Sequence, residues 1–287
     1  MNDLVRYEPA GAVTTVTLNA PASRNALSSA LLLQLRDALG SALDDPGCRV
    51  IVLTGADPVF CAGADLKEGR SGKVTAPELF PQILRLIWDS PKPVVCRVNG
   101  SARAGGIGLI AACDIAVAPE PATFAFSEVR IGATPAMIAV TCLRRMEPRA
   151  ATEYFLTGEA FGAERAAQIG LLTRAVPAAS LDEEVARYTG LLLRGAPGAL
   201  AATKQVLREA PALPVAEGLD RMAEISAERF ASAEAREGMA AFAEKRTPTW
   251  TTPRPSPPVR PATPAVPPSQ PPQPSPPPGR PRPGGFS

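Results

Sequence analysis

From Val13 to Leu18 the sequence VTTVTL alternates apolar and polar positions, as a strand buried on one face does, and Asn19, Pro21 and Ser23 end it. Apolar residues then recur at helical spacing from about Ser28 to Leu43. The same order returns twice. Arg49 to Thr54 (RVIVLT) is a β-branched run closed by Gly55, a loop holds Phe60 to Asp65, and Pro77 to Trp88 has helical spacing. Val94 to Val98 opens the next round, turns at Asn99-Gly100 and enters a short helix after Gly105-Gly106. Asp114 to Ala118, Thr123 to Phe126 and Leu172 to Val176 read as further strands. Strands alternating with helices predict an α/β layered fold.

From Pro135 onward helical spacing dominates. The pattern predicts helices at Arg149 to Leu156, Glu164 to Ile169, Leu181 to Leu193, Leu200 to Glu209, Val215 to Phe230 and Ala233 to Ala243. Beyond Trp250 the pattern stops: 16 of the 33 prolines fall between Thr251 and Ser287, so this stretch has too few apolar residues to build a core. The expected organisation is a core over residues 1–195, a helical oligomerisation subdomain over 196–250, and a disordered, proline-rich tail over 251–287.

Charge changes little. The formal +2 is carried by four tail arginines, so the body is slightly acidic and a nucleic-acid partner is not expected. The absence of histidine matters more: it removes Ser-His-Asp and Cys-His catalysis and histidine general bases, and leaves few ways to build a zinc site. Proton transfer must then use carboxylates, Lys, Tyr or Cys. Five scattered cysteines without a CxxC pair, and a start (MNDLVRYEPA) unlike a leader, predict a cytoplasmic chain with reduced thiols. No apolar stretch approaches the ~20 residues of a membrane span.

Three segments carry candidate chemistry. Phe60 to Leu66 (FCAGADL) is a run of small residues after a strand, where backbone N–H groups at a helix start can face a ligand; as plain structure it is a tight turn capped by Asp65. Asn99 to Gly108 (NGSARAGGIG) brings glycines to another helix start, and matches neither the Walker loop nor GxGxxG. Phe124 to Pro135 (FAFSEVRIGATP) sets one acid, Glu128, among apolar neighbours after a short strand. A carboxylate there is a candidate general acid or base, or else a partner for Arg130 or a helix cap.

In order, NAL (Asn25 to Leu27), CAGADLK (Cys61 to Lys67), KPVVCRVNG...GG (Lys92 to Gly106), ACDIAVA (Ala112 to Ala118), FSEVRIG..PA (Phe126 to Ala136) and EGMAAFAEKRTPTW (Glu237 to Trp250) closely resemble the crotonase superfamily, the enoyl-CoA hydratase/isomerase family. The resemblance covers Leu4 to Trp250. It implies a crotonase-like α/β fold of repeated ββα units with a C-terminal helical subdomain, assembled as a homotrimer or a dimer of trimers. It also implies an acyl-CoA thioester substrate, with coenzyme A as part of the substrate and no further cofactor or metal. By motif position, the N–H groups of Ala64 and Gly105 hold the thioester oxygen, and Glu128 moves the proton. Arg24, Ala26, Ala62, Asp65, Leu66 and Lys67 line the path of coenzyme A, Gly108 lies beside the substrate, and Lys245 reaches a phosphate, often from a neighbouring subunit.

One position departs from the two-carboxylate hydratases, which carry an acid shortly after the double glycine. Here Gly108 stands at that place and only the later acid, Glu128, is present. With Gly108 there, the sequence resembles bacterial enoyl-CoA hydratases of the methylglutaconyl-CoA type. That favours hydration of a 2-enoyl thioester by one glutamate. The alternatives are isomerisation of a 3-enoyl thioester and an acyl-CoA-binding protein without turnover.

Overall fold

A computed structural model describes residues 3–65, 67–68 and 76–251. In it the strand at Val50–Gly55 (β3) is buried along its whole length: Ile51 and Leu53 face one apolar cluster, Val50 and Val52 the other. Burial on both faces is why this strand reads as an unbroken aliphatic run. It lies between β2 (Val13–Leu18) and β4 (Val94–Arg97), parallel to both. Beyond β4 come β6 (Ile115–Pro119) and β9 (Arg174–Val176), also parallel. On the other side β1 (Val5–Ala10) pairs antiparallel with β2, giving a sheet in the order β1-β2-β3-β4-β6-β9.

One face of this sheet is covered by the helices that follow its strands, α1 (Ser29–Asp44), α2 (Ala76–Trp88) and α3 (Gly105–Ala112), whose Leu31, Leu35, Ile83, Ile87, Ile107 and Ile110 fill the larger core. The other face packs on α7 (Leu181–Arg194) through Leu181 and Val185. A second, small sheet is made of β5 (Ala102–Arg103), β7 (Thr123–Ala125) and β8 (Phe161–Gly162). Between β7 and β8 lie α4 (Ala136–Cys142) and α5 (Pro148–Thr157), and α6 (Ala163–Gln168) follows β8. The chain then runs through α8 (Pro197–Glu209), α9 (Val215–Phe230) and α10 (Ala233–Ala243). This is the α/β architecture with a helical C-terminal part that the sequence implies. Among the described residues no helix is long and apolar enough to cross a membrane. Residues 252–287, the expected proline-rich tail, lie outside the described residues.

Several elements differ from the sequence reading. Strand β1 is absent from it because VRYEPA is an exposed edge strand, whose alternation lasts only from Val5 to Glu8 before a proline that only an edge tolerates. The two-residue strands β5 and β8 are too short to show periodicity. Helix α4 lies in the stretch from Pro135 where helical spacing dominates, but at seven residues it is too short to stand out as a helix of its own.

Candidate active site

Asn25 organises the first part of the site. Its side chain is wholly buried; Nδ2 donates to the carbonyls of Ala56, Val59 and Phe60 at 2.8, 2.9 and 3.2 Å, and Oδ1 accepts from Ala20 N–H at 2.9 Å. This pins the loop after β3 against residues 20–27. The two segments then run side by side: Ala62 N–H donates to Arg24 O at 3.0 Å, Leu27 N–H to Gly63 O at 2.8 Å, and Leu27 bridges Ala64. Arg24, Ala26, Ala62 and Ala64 are therefore neighbours along the backbone.

The same loop meets the start of α3. Cys61 bridges Ala102, and Arg103 N–H donates to Cys61 O at 2.9 Å. The approach is so close that two positions must be glycine. A Cβ on Gly106 would lie 2.7 Å from the Cys61 Cβ, and one on Gly63, whose φ is +90°, would lie 3.0 Å from the Ala104 Cβ. Ala104 itself is held at φ +48°, ψ −120°, a strained conformation for a residue with a Cβ, and its N–H donates to Ala125 O at 3.1 Å. That kink turns the chain from β5 directly into α3. Among the described residues, the N–H groups of Ala64, on the exposed rim, and Gly105, at the first turn of α3, donate to no other backbone group. Helix starts leave such donors free for a ligand.

Glu128 sits on a 3-10 turn, Ser127–Ile131, that follows β7. The turn is anchored by Phe126, fully buried with its ring 4.1 Å from that of Phe155. Glu128 is half-buried, and its Oε2 has no hydrogen-bond partner among the described residues. Loss of water pushes its pKa above the ordinary carboxylate value, opposed only by a hydrogen bond from its own backbone. Its charge is felt by the thiol of Cys142, a residue of α4, which packs on α3. Burial above all drives that thiol's pKa up, as it does that of Cys61, pushed to about 12. Neither cysteine is available as a thiolate at neutral pH.

Comparison with known proteins decides the family. The enoyl-CoA hydratase/isomerase model matches residues 8–253. The chain belongs to that family, the crotonase superfamily. It is 35% identical over 239 residues to the 2,3-dehydroadipyl-CoA hydratase of Escherichia coli, covering 82% of this chain and 94% of that protein. It is 33% identical to the carnitinyl-CoA dehydratase of Salmonella typhi, over 87% and 99% of the two chains. Among solved structures, an enoyl-CoA hydratase of Mycobacterium smegmatis superposes with a TM-score of 0.81 at 33% identity, covering 87% of this chain and 99% of that one.

Against this crotonase background the departure at Gly108 has a structural basis. A Cβ there would lie 2.3 Å from Ile138 Cγ2 and 3.0 Å from Ile138 Cβ, so the space of a side chain at 108 is filled from α4. Thr141, one turn along α4, directs its hydroxyl at Gly108 O at 3.4 Å.

Other residues singled out in the sequence have structural work. Asp65 Oδ1 accepts from the N–H of Lys67 at 2.9 Å and of Glu68 at 3.4 Å, a helix-start cap. Lys67 is exposed beside it, and Leu66 lies outside the described residues. Asp114 pairs with buried Lys204 at 2.5 Å and accepts Val94 N–H at 2.8 Å. Lys245 is exposed at φ +54° on a segment tied elsewhere: Arg246 pairs with Glu237, Trp250 O accepts from Arg49, and Trp250 Nε1 donates to Arg194 O. Arg49 precedes β3, at the end of the parallel strands opposite the loops that carry Ala64 and Gly105. Sequence reasoning missed Asn25 as the loop's anchor and Ile138 as the occupant beside Gly108. Asn25 could have been suspected as a polar residue just ahead of an apolar helix; Ile138 has no local signal.

Proposed function

We propose that this crotonase-family chain is an enoyl-CoA hydratase that adds water across the 2,3 double bond of an acyl-CoA thioester with Glu128 as its sole acid-base group. The observation that carries the reading is the half-buried carboxylate of Glu128, one oxygen of it unpartnered among the described residues, on the turn that follows the strand held beside β5 and the start of α3. The free N–H groups of Ala64 and Gly105 are the donors for the thioester oxygen. Such donors act where negative charge develops, and each is worth about 3 kcal/mol in comparable sites.

In the reaction Glu128 removes a proton from water as the oxygen bonds to C3. The electron pair of the double bond moves toward the thioester carbonyl, whose oxygen is held by Ala64 and Gly105. Glu128 then returns the proton to C2 on the same face. A raised carboxyl pKa suits a group that must both take and give a proton near neutrality. Arg24, Ala26, Ala62, Asp65, Leu66 and Lys67 supply the path for coenzyme A. Lys245, tied to the far end of the strands in its own chain, serves the phosphate of a neighbouring subunit in a homotrimer or a dimer of trimers. Exposed apolar residues on the C-terminal helices, Val215, Leu219, Phe230 and Phe242, support such an assembly. The 2,3-dehydroadipyl-CoA and carnitinyl-CoA relatives support the substrate class.

The test is a panel of 2-enoyl-CoA and 3-enoyl-CoA esters followed by enoyl absorbance and product analysis. Loss of the 2-enoyl absorbance with formation of a 3-hydroxyacyl ester supports the reading. Conversion of 3-enoyl to 2-enoyl esters without water addition makes the chain an isomerase, and acyl-CoA binding without turnover makes it a carrier. Glu128→Gln keeps the size of the side chain and should lower kcat at least ~100-fold while acyl-CoA still binds.

A further inference from the structure

Helix α3 packs against both α2 and α4, and the space between the three is divided. Toward the start of α3, the ring of Phe80 comes within 3.5 Å of where a Cβ would stand on Gly105 and on Gly108, one helical turn apart. Leu27 and Ile138 flank the same glycine face. Phe80 and Ile138 are 4% and 2% exposed, so this end is closed. Next to them along α2 and α4 lies a cavity of about 320 Å³ lined by Pro81, Leu84, Trp88, Met137, Val140 and Thr141, with Arg85 and Arg144 at it; Met137 and Val140 are 43% and 58% exposed, so it opens to solvent. The Thr141 hydroxyl, one of its lining groups, lies 3.4 Å from Gly108 O, which sets the cavity beside the glycine face. Trp88, on its wall, is held by Arg145, which stacks on the ring at 4.9 Å and donates to the carbonyls of Ala111 and Cys113 at the end of α3.

We propose that Phe80 and Ile138 are the partition that limits this enzyme to short acyl chains. An acyl group whose thioester oxygen sits on the Gly105 N–H must travel along α3 over Gly108, and there it meets Phe80 and Ile138. The cavity beside them carries Leu84 and Trp88 on its α2 wall and Met137 and Val140 on its α4 wall, and it is large enough for several methylenes, within the ordinary range of ligand cavities. The inference rests on the acyl-CoA reading above and names the length class of its substrate.

The experiment measures dissociation constants of saturated straight-chain acyl-CoA esters, from butyryl to decanoyl, for the full-length chain and for Phe80→Ala, Phe80→Leu and Ile138→Ala. Saturated esters are not hydrated, so the measurement is independent of turnover. For the unaltered chain, affinity should stop rising after butyryl or hexanoyl. In the variants it should continue to rise by about fourfold per added methylene until the chamber is filled. Phe80→Leu retains much of the packing and serves if the alanine variants fail to fold. A folded Phe80→Leu or Ile138→Ala chain with an unchanged length profile overturns the partition, as does an unaltered chain whose affinity already climbs to decanoyl. Absence of binding by every ester, butyryl included, refutes the acyl-CoA reading itself and the partition with it.

Discussion

The contact between Gly108 and Ile138 can be tested by a double-mutant cycle, because the geometry fixes both the sign and the size of the coupling. In Gly108→Ala the new methyl would stand 2.3 Å from Ile138 Cγ2, against an ordinary carbon contact of ~3.5–4.0 Å. Either α4 moves outward or Ile138 leaves its rotamer, and such overpacking costs about 1–3 kcal/mol. The gain from replacing glycine inside a helix, up to ~1 kcal/mol, offsets part of it. Gly108→Ala should therefore destabilise by about 1–2 kcal/mol, lowering Tm by roughly 2–8 °C in a body of this size. Ile138→Ala alone removes the fully packed side chain and should lose about 2–5 kcal/mol. Together the two changes relieve the clash, and the methyl introduced at position 108 enters the vacated space. The double variant should then be more stable than the sum of the single effects predicts by about 1–3 kcal/mol. Calorimetry on the four proteins, with reversibility checked, gives the coupling. Additivity within about 0.5 kcal/mol would falsify the account of why no side chain stands at 108. If the coupling is found, introducing Glu at 108 requires prior removal of Ile138, and a second carboxylate cannot be regained by one substitution.

The buried carboxylate makes two further predictions. Folding raises the pKa of Glu128, so its burial is unfavourable at neutral pH and harmless once it is protonated below its ordinary value of ~4.3. Glu128→Gln should melt above the unaltered protein at pH 7, with the gap closing as pH falls toward 4; a gap that stays constant or widens refutes the burial argument. Because the hydration step needs the ionised form, kcat/KM should drop with falling pH on a limb lying above that ordinary value, and a limb at or below it counts against Glu128 as base. Asn25→Ala strands three carbonyls and one N–H in a buried loop, which should lower stability by about 3 kcal/mol, or roughly 6–12 °C in Tm, and reduce turnover as well. Loss of under ~1 kcal/mol in calorimetry would mean the loop holds itself.

The alternating strands and their helices were legible because each buries a complete face, and burial is what hydrophobic periodicity reports. The glycines at 63, 105 and 106 were legible as places of close approach, and the structure shows what approaches: Ala104, Leu27 and Cys61 respectively. Glu128 was legible as an acid among apolar neighbours. What could not be read is the reason for Gly108, since Ile138 reaches it from a helix thirty positions on, and nothing local marks that pairing. Nor could Ala104 be read as strained, because an alanine before two glycines gives no sign that it, and not they, takes the positive φ.

The clasp between Arg49 and Trp250 joins positions 201 residues apart. Arg49 forks, with its other nitrogen donating to Gly195 O at 2.7 Å, so one side chain at the entrance to β3 gathers three distant stretches of chain. During synthesis β3 leaves the ribosome early, and its guanidinium must then wait in water for both carbonyls. At ordinary elongation rates the wait is ~10–40 s for Trp250. Over that interval the sheet can pair and the loops of the site can close, while the start of β3 stays unlatched. The last turn of the body therefore acts as a completion signal: a nascent chain halted before residue 250 carries Asn25, Ala64, Gly105 and Glu128 and lacks its final fastening.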